Sequence, residues 1–173
     1  MAADNNAMRE VRLDKVVLNI GIGNNDQLLP NAKALLKKLT GNDAVATTAR
    51  KRDPTLKLRK GQTIGAMVTL RGEKAADILR KTLDAKNNAI RMNGIANNSL
   101  NFGIHEYIDI SGLKYDHKIG MMGMNVNASF RRMGRRVELR KRRRARIARV
   151  HRDIAPEEIL GYLEKNFNAK MEE

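Results

Sequence analysis

The segment from Arg131 to Arg152 constrains the fold of this chain more than any other stretch, because its charge keeps it out of a core. Twelve of its 22 residues are Lys or Arg and only Glu138 is acidic, which gives a net charge of +11. The complete chain carries +15, so the other 151 residues, with 22 basic and 18 acidic side chains, contribute only +4. Like charges at this density repel one another, and few apolar residues are available for burial. We therefore expect the segment to order only against a polyanion.

RNA is the polyanion that this composition favours. Arg far outnumbers Lys in the segment, and guanidinium groups make forked contacts to phosphate and stack on bases. Neutralised phosphates release counterions, so binding should depend on salt. A solvated tail or a localisation signal is the simpler interpretation, but a helix pattern follows the segment and returns the chain to the fold. An anionic membrane surface is disfavoured because the segment has no large apolar face.

The composition allows one domain with a core, with or without extensions. The chain has 173 residues, 42% of them hydrophobic but only 3% aromatic, so the core must be built from Val, Ile, Leu, Ala and Met. The absence of Cys excludes disulfides and thiolate metal sites. No apolar run approaches the ~20 residues of a membrane helix, and no signal peptide is apparent. We expect a soluble, cytoplasmic protein with no membrane partner, whose pI near 10.5 points to nucleic acid.

Hydrophobic periodicity predicts an α+β fold. It is a two-layer α/β sandwich of the split βαβ type, with a mainly antiparallel sheet, helices on one face, an Arg-rich extension and a C-terminal helix. The predicted strands are 11–22, 43–48, 63–71, 101–109 and 123–130, and the predicted helices are 30–40, 73–84 and one beginning at Pro156. The expected organisation is a disordered N-terminus (1–7), an α+β RNA-binding domain (8–130), the Arg-rich extension (131–152) and the C-terminal helix packed on the domain (153–173).

Two strands leave polar residues on the sheet face away from the core. In the first strand the even-numbered residues from Val16 to Ile22 form the apolar face, and Asn19 interrupts the opposite face, which also includes Val11 and Leu13. In the strand 63–71, Thr69 and Arg71 lie away from the apolar face. This arrangement predicts a polar platform.

A second basic patch, Arg50 to Gly61, holds six Lys or Arg against one Asp, and Asp53-Pro54 marks a turn. A basic loop of this kind can contact a nucleic-acid backbone. The alternative is an ordinary solvated loop.

The sequence makes no positive case for catalysis, a metal or a cofactor. Its three histidines lack ligand spacing, and it has no nucleophile motif. The Gly21-Ile22-Gly23 sequence lacks the third glycine of a dinucleotide fingerprint, since Asp26 takes that place, and we interpret it as a flexible strand exit. We therefore predict that the protein is not an enzyme.

Several stretches, in order, carry a family resemblance: KVVLNIGIG (15–23), TGNDAVATTARK (40–51), LRKGQTIGAMVTLRGEK (58–74) and NFGIHEYID (101–109). Over roughly residues 8–130 the chain resembles the universal large-subunit ribosomal protein family that attaches 5S rRNA in the central protuberance (large-subunit protein five). It lacks the N-terminal helical extension of the bacterial members, and its Arg-rich tail looks archaeal.

The resemblance implies a structural constituent of the large subunit that binds 5S rRNA and helps attach it to the large rRNA. It also implies contacts with P-site tRNA, with neighbouring proteins of the central protuberance and, through an intersubunit bridge, with a small-subunit head protein. Asn19 and Thr69 match family positions that contact 5S rRNA. Asn42 stands where bacterial members often carry Gln, and Leu56 where they carry Phe.

The expected site residues combine the resemblance with the basic patches. Those expected to bind rRNA are Asn19, Asn42, Arg50, Lys51, Arg59, Thr69, Arg71, Arg131, Arg132, Arg135, Arg136, Arg140, Lys141, Arg142, Arg143 and Arg144. Those of the expected tRNA-contacting loop are Arg52, Asp53, Pro54, Thr55 and Leu56. Two alternatives stay open: a free-standing RNA-modifying or remodelling protein with a basic tail, and an architectural DNA-binding protein.

Overall fold

The centre of the fold is strand β1, which has antiparallel partners on both sides. The computed structural model describes residues 7–171. Its strands are β1 (Val11–Gly21), β2 (Val45–Thr48), β3 (Thr63–Leu70), β4 (Ala89–Ile90), β5 (Ile95–Ala96), β6 (Ser99–Ile104), β7 (Met124–Arg132) and β8 (Lys170–Met171). Its α-helices are α1 (Leu29–Thr40), α2 (Glu73–Asp84), α3 (Arg136–Leu139), α4 (Arg149–Arg152) and α5 (Pro156–Phe167).

Six strands form one sheet in the order β2-β3-β1-β7-β6-β5, and every pairing in it is antiparallel. A separate pair, β4 and β8, is parallel. The long helices α1, α2 and α5 cover one face of the sheet, so the predicted fold class is confirmed.

The core lies between this sheet face and the three helices. Alternate residues of β1 (Val16, Leu18 and Ile20) are almost completely buried, as are Leu35 of α1 and Leu79 of α2. Complete burial of one such side chain contributes about 1.5–3 kcal/mol. With few aromatic residues, the core depends on many branched aliphatic side chains in one continuous cluster.

The helix boundaries follow sequence signals. Gly41 ends α1 with φ +71°, and its N–H donates to Lys37 O, as expected of a left-handed helix terminator. Pro156 begins α5 as predicted, in the first-turn position that tolerates a missing N–H. The bounds of α2 are those predicted from its apolar spacing.

A β-bulge at Asp14 changes which residues of β1 face the core. The register with β7 shifts between Leu13 and Lys15, and Leu13 pairs with Phe130. Val11 and Leu13 consequently pack against the core. The prediction that they share the Asn19 face is wrong, because one extra residue inverts the alternation.

Three other segments differ from expectation. Strand β6 ends at Ile104, and Tyr107–Asp109 forms a 3-10 helix instead of continuing the strand. The interval 86–100, expected to be irregular, contains β4, β5 and the start of β6. The predicted disorder of residues 1–7 lies outside the described residues except at Ala7, which begins a 3-10 helix.

Candidate RNA interface

The sheet face opposite the helices presents a cluster of four Asn side chains. Asn19 pairs in register with Asn125, and Asn127 pairs with Asn101. Directly opposed residues of an antiparallel pair hold their Cβ atoms about 4.5–5.5 Å apart. The four amides line one shallow depression, which we call the Asn platform.

The hydrogen bonding of the Asn platform leaves some of its amides available. Asn127 Nδ2 donates to Asn101 Oδ1 at 2.5 Å, and Asn101 Nδ2 donates to Ser99 Oγ at 3.4 Å. The side chains of Asn19 and Asn125 have no hydrogen-bond partner among residues 7–171. An amide offers two donors and an acceptor, so these two side chains can hydrogen-bond a base edge or a sugar hydroxyl.

The sequence contains the signal for half of this platform, in the stretch Met124–Phe130. Met124, Val126, Ala128 and Phe130 are buried, so the residues between them face the other way. Recognising the buried residues therefore predicts the polar ones, yet on this face the sequence analysis named only Asn19, Thr69 and Arg71 as site residues. The residues it missed are Lys15, Ser99, Asn101, Asn125, Asn127 and Ser129.

Thr69 lies in the row next to Asn19. It pairs with Val17, which on its other side pairs with Asn127. Thr69 is exposed, and the structure thus brings together the two β-strand positions, Asn19 and Thr69, that the sequence singled out.

The bulge residue Asp14 holds two arginines at one end of the open face. Its Oδ1 lies 3.0 Å from Arg71 Nη1 and 3.4 Å from Arg131 Nε, and its side chain is only 19% exposed. Each guanidinium has five N–H donors, and one carboxylate occupies only part of them. Asp14 therefore positions Arg71 and Arg131 with donors left for phosphate.

The basic loop between β2 and β3 is closed at its base by backbone hydrogen bonds. Ala49 N donates to Gln62 O at 2.8 Å, and Gly61 N donates to Ala49 O at 2.9 Å. Gln62 fixes Arg59 by accepting its backbone N–H at 3.0 Å, and it also bonds to Asn24. Arg50 and Lys51 are exposed just beyond this closure.

The tip of the loop is a turn built on Asp53. Its Oδ1 accepts the N–H groups of Thr55 at 3.0 Å and of Leu56 at 3.3 Å. Leu58 is buried and anchors the returning arm, whereas Leu56 is 62% exposed. The turn thus displays an apolar side chain among the cations of the loop.

Asn42 is not part of the open sheet face. It follows α1, and its Oδ1 accepts a hydrogen bond of 3.4 Å from Lys74 Nζ in the first turn of α2. The backbone N–H of Asn42 donates to Thr40 Oγ1 at 3.2 Å. The structure therefore associates Asn42 with the helix ends.

The two ends of the Arg-rich segment contact the domain, whereas we expected the segment to order only against a polyanion. Arg131 and Arg132 are the last residues of β7. Arg132 makes two hydrogen bonds of 2.7–2.8 Å to the Glu158 carboxylate of α5, and its side chain is only 13% exposed. This predicted RNA ligand is used inside the protein.

Glu138 organises the rest of the segment. Its carboxylate lies 3.8 Å from Arg152 and 4.0 Å from Arg135, and its backbone carbonyl accepts a 2.5 Å hydrogen bond from Arg144 Nε. This single acid thus lies near arginines from both ends of the segment, and its attraction offsets part of the repulsion between the cations. Sequence reasoning had counted Glu138 only as a charge.

The loop between α3 and α4, together with Arg149, projects seven exposed cations. None has an acidic partner among residues 7–171, although Arg140 donates to Arg143 O and Arg144 to Glu138 O. We call this set the cation cluster: Arg140, Lys141, Arg142, Arg143, Arg144, Arg146 and Arg149. Such a concentration attracts phosphate through counterion release.

These elements provide hydrogen-bonding amides, phosphate-binding cations and a closed basic loop. In the part of the chain that the structure describes, no group of His, Asp and Glu side chains is arranged to hold a metal ion. Over the same residues, no helix is both long and apolar enough to cross a membrane. The arrangement suits recognition of RNA rather than bond-making chemistry.

Two family models match adjoining parts of the chain. The model for ribosomal protein L5 matches residues 6–59, and the model for the C-terminus of the same ribosomal protein family matches residues 63–155. The second match begins at β3, beyond the basic loop.

Curated relatives match nearly the full length. The large ribosomal subunit protein uL5 of Sulfurisphaera tokodaii is 40% identical over 97% of this chain and 96% of its own. The proteins of the same name from Archaeoglobus fulgidus and Nanoarchaeum equitans are 41% and 39% identical, over 94% and 95% of this chain and 91% and 97% of their own.

Proposed function

Because this chain belongs to the ribosomal protein L5 family of the large subunit, we propose that its open sheet face binds 5S rRNA and helps attach it to the large rRNA. Membership makes the protein a structural, non-enzymatic constituent of the large ribosomal subunit that binds RNA in translation. The resemblance first noticed in the sequence is thereby confirmed at the level of the family.

The observation that carries the proposal is the pair Asn19 and Asn125. Both amides lie side by side on the open face, without internal partners among residues 7–171. Two amides held on the neighbouring strands β1 and β7 cost little to reorganise on binding, so they suit a specific contact with a base or a 2′-hydroxyl. Thr69 extends this surface in the neighbouring row.

The cations and the Asn platform have different roles in the proposed binding. Arg71 and Arg131 border the open face, and Arg50, Lys51 and Arg59 lie at the base of the loop. Phosphate contacts from these residues position the RNA, whereas the amides read its shape and edges. The cation cluster supplies a further, salt-dependent contact with rRNA, for which Arg135 and Arg136 at the start of the segment are also proposed.

The loop from Arg52 to Leu56 is proposed to reach P-site tRNA. Its Asp53 turn gives a defined tip, and the exposed Leu56 allows an apolar contact with a ribose or a base. The contacts with neighbouring proteins of the central protuberance and with a small-subunit head protein are proposed from the family resemblance alone.

A binding titration of the purified protein tests the principal assignment. The ligands are 5S rRNA, tRNA and duplex DNA of matched length, each at several salt concentrations. We expect a preference for 5S rRNA that persists at physiological salt, because hydrogen bonds of the Asn platform are screened less than the cation contacts. Equal and steeply salt-dependent binding to all three would show that the cations act alone, and would overturn the proposal.

A further inference from the structure

We propose that a cleft between the end of β7 and the short helices α3 and α4 holds one unstacked nucleotide of the bound RNA. The proposal rests on the RNA-binding function above and adds a specific ligand subsite to it. The cleft has a volume of about 400 Å³, within the ~300–1,000 Å³ range of small-ligand clefts. Its walls combine Met8, Met133, Val137 and Ile147 with Arg9, Arg132, Arg135, His151 and Arg152.

The apolar part of the wall suits a flat aromatic ring. Met8 and Met133 both line the cleft and are 54% and 42% exposed, so their side chains leave apolar surface accessible. Methionine sulfur packs well against aromatic rings, and Val137 and Ile147 offer further apolar contact. A base has both a polarisable face and the flat shape that such a cleft accepts.

The cationic part of the wall has unused binding capacity. Arg135 is 4.0 Å from Glu138 and Arg152 is 3.8 Å from it, both beyond hydrogen-bond distance, whereas Arg152 Nε donates to Asp153 Oδ1 at 3.0 Å. The Nε atoms of Arg132 and Arg135 are buried without a hydrogen-bond partner. Glu138 thus pairs only weakly with Arg135, and a phosphate would make shorter and stronger bonds to Arg135 and to the Arg152 donors that Asp153 does not use.

An occupant must therefore carry negative charge next to an apolar, aromatic body, which describes a nucleotide. The cation cluster lies next to the cleft in space. Val137 lines the cleft, and its backbone oxygen accepts a hydrogen bond of 3.3 Å from the N–H of Ala145, which lies in the loop of the cluster. RNA phosphates bound by the cluster would run close to the cleft mouth. One base leaving the stack could then enter the cleft while its neighbours stay on the cations.

The test fills the cleft without changing any charge. Val137→Phe adds bulk inside it, and Leu139→Phe makes the same kind of change on an exposed residue of α3 that does not line it. The probes are a hexamer of oligoadenylate and an abasic hexamer of the same length, titrated at one salt concentration. Because the two probes carry equal charge, the ratio of their affinities isolates base contacts.

Stacking of one base contributes about a five- to hundredfold gain in affinity. We expect Val137→Phe to reduce the wild-type preference for the base-bearing hexamer by at least about fivefold and to leave abasic binding and its salt dependence unchanged. Leu139→Phe should retain the wild-type preference. An unchanged preference in a folded Val137→Phe protein, verified by circular dichroism, would overturn the proposal. Should that variant not fold, Ile147→Phe fills the cleft from the opposite loop and is judged by the same criteria.

Two further results separate this proposal from its alternatives. Binding of hexaglutamate as tightly as the oligoadenylate, with the same loss in Val137→Phe, would assign the cleft to acidic peptides and overturn the proposal. The 5S rRNA titration is independent of the hexamers. A protein without 5S preference that still loses base preference in Val137→Phe would refute the 5S assignment and support the cleft.

Discussion

Gly65 is the residue at which the sheet tolerates a side chain least. A Cβ added there would lie 2.5 Å from Ile20 O and 2.9 Å from Thr47 Oγ1. The strands on either side of β3 would have to separate, so Gly65→Ala should lower the free energy of unfolding by at least the ~1–3 kcal/mol typical of overpacking. Urea denaturation measures the change.

Gly21 provides the matched control for this prediction. It pairs with Gly65 in the register of β1 and β3, but an added Cβ meets no atom within 4 Å. Gly21→Ala should change stability by no more than about 0.5 kcal/mol. Equal effects of the two substitutions would mean that close strand approach is not the reason for the glycine.

Asn19 tests the Asn platform at the scale of one side chain. Asn19→Ala removes an amide with no hydrogen-bond partner among residues 7–171, so protein stability should hardly change. Affinity for 5S rRNA should fall by about 1–3 kcal/mol, the cost of leaving a polar RNA group unsatisfied, with no change in salt dependence. Asn166→Ala, on α5, is the control, since its exposed amide donates a hydrogen bond to Tyr162 O within the same helix. Wild-type affinity of Asn19→Ala would refute the sheet-face assignment.

At the scale of an element, the cation cluster should act through charge rather than shape. Replacing Lys141, Arg142 and Arg143 together by Gln removes three exposed cations that have no ion pair with any acid in the described part of the chain. The slope of log affinity for rRNA against log salt should become shallower by about 2–3, because each lost phosphate contact contributes roughly 0.7–0.9. Titrations at four or more salt concentrations give the slope.

A second triple variant that loses the same net charge elsewhere on the protein shows whether the position of the cations or the total charge matters. Lys33, Lys81 and Lys165 lie on α1, α2 and α5, the layer that covers the other sheet face. Their replacement by Gln should leave the slope nearly unchanged. A slope that falls equally in both variants would indicate a general field effect instead of a local contact.

For the whole molecule, the ion pair of Arg132 and Glu158 ties the returning helix α5 to the central sheet. Arg132 is nearly buried, and both Glu158 oxygens accept from it. Glu158→Ala leaves this guanidinium without its carboxylate and should lower the free energy of unfolding by about 1–3 kcal/mol. Chemical denaturation checks the value.

Glu157→Ala is the control, because Glu157 is the exposed neighbour in the same first turn, with no ion-pair partner among residues 7–171. Its loss should cost no more than the few tenths of a kcal/mol due to the helix dipole. If both substitutions had the same effect, the helix dipole rather than the ion pair would account for the stability.

The sequence by itself determined the secondary structure of the regular elements and the kind of partner. The apolar spacing in α2, the proline at the start of α5 and the alternation in β3 are local signals, and local sterics and burial decide their outcome. The charge of residues 131–152 likewise indicates a polyanionic partner without reference to the fold, because the repulsion depends on how many cations lie close together in the sequence.

The tertiary structure decided what depends on distant residues. The bulge at Asp14 exists only in the register with β7, and it brings Asp14 to Arg71 and Arg131, 57 and 117 positions further along the chain. The Asn platform forms because β1, β7 and β6 are neighbours in the sheet. This strand order depends on the packing of the complete core and not on any one segment of sequence. Finally, only the folded chain shows that Arg132 is an internal anchor while Arg142 is an exposed cation. The two side chains are identical, but the fold places Glu158 beside Arg132.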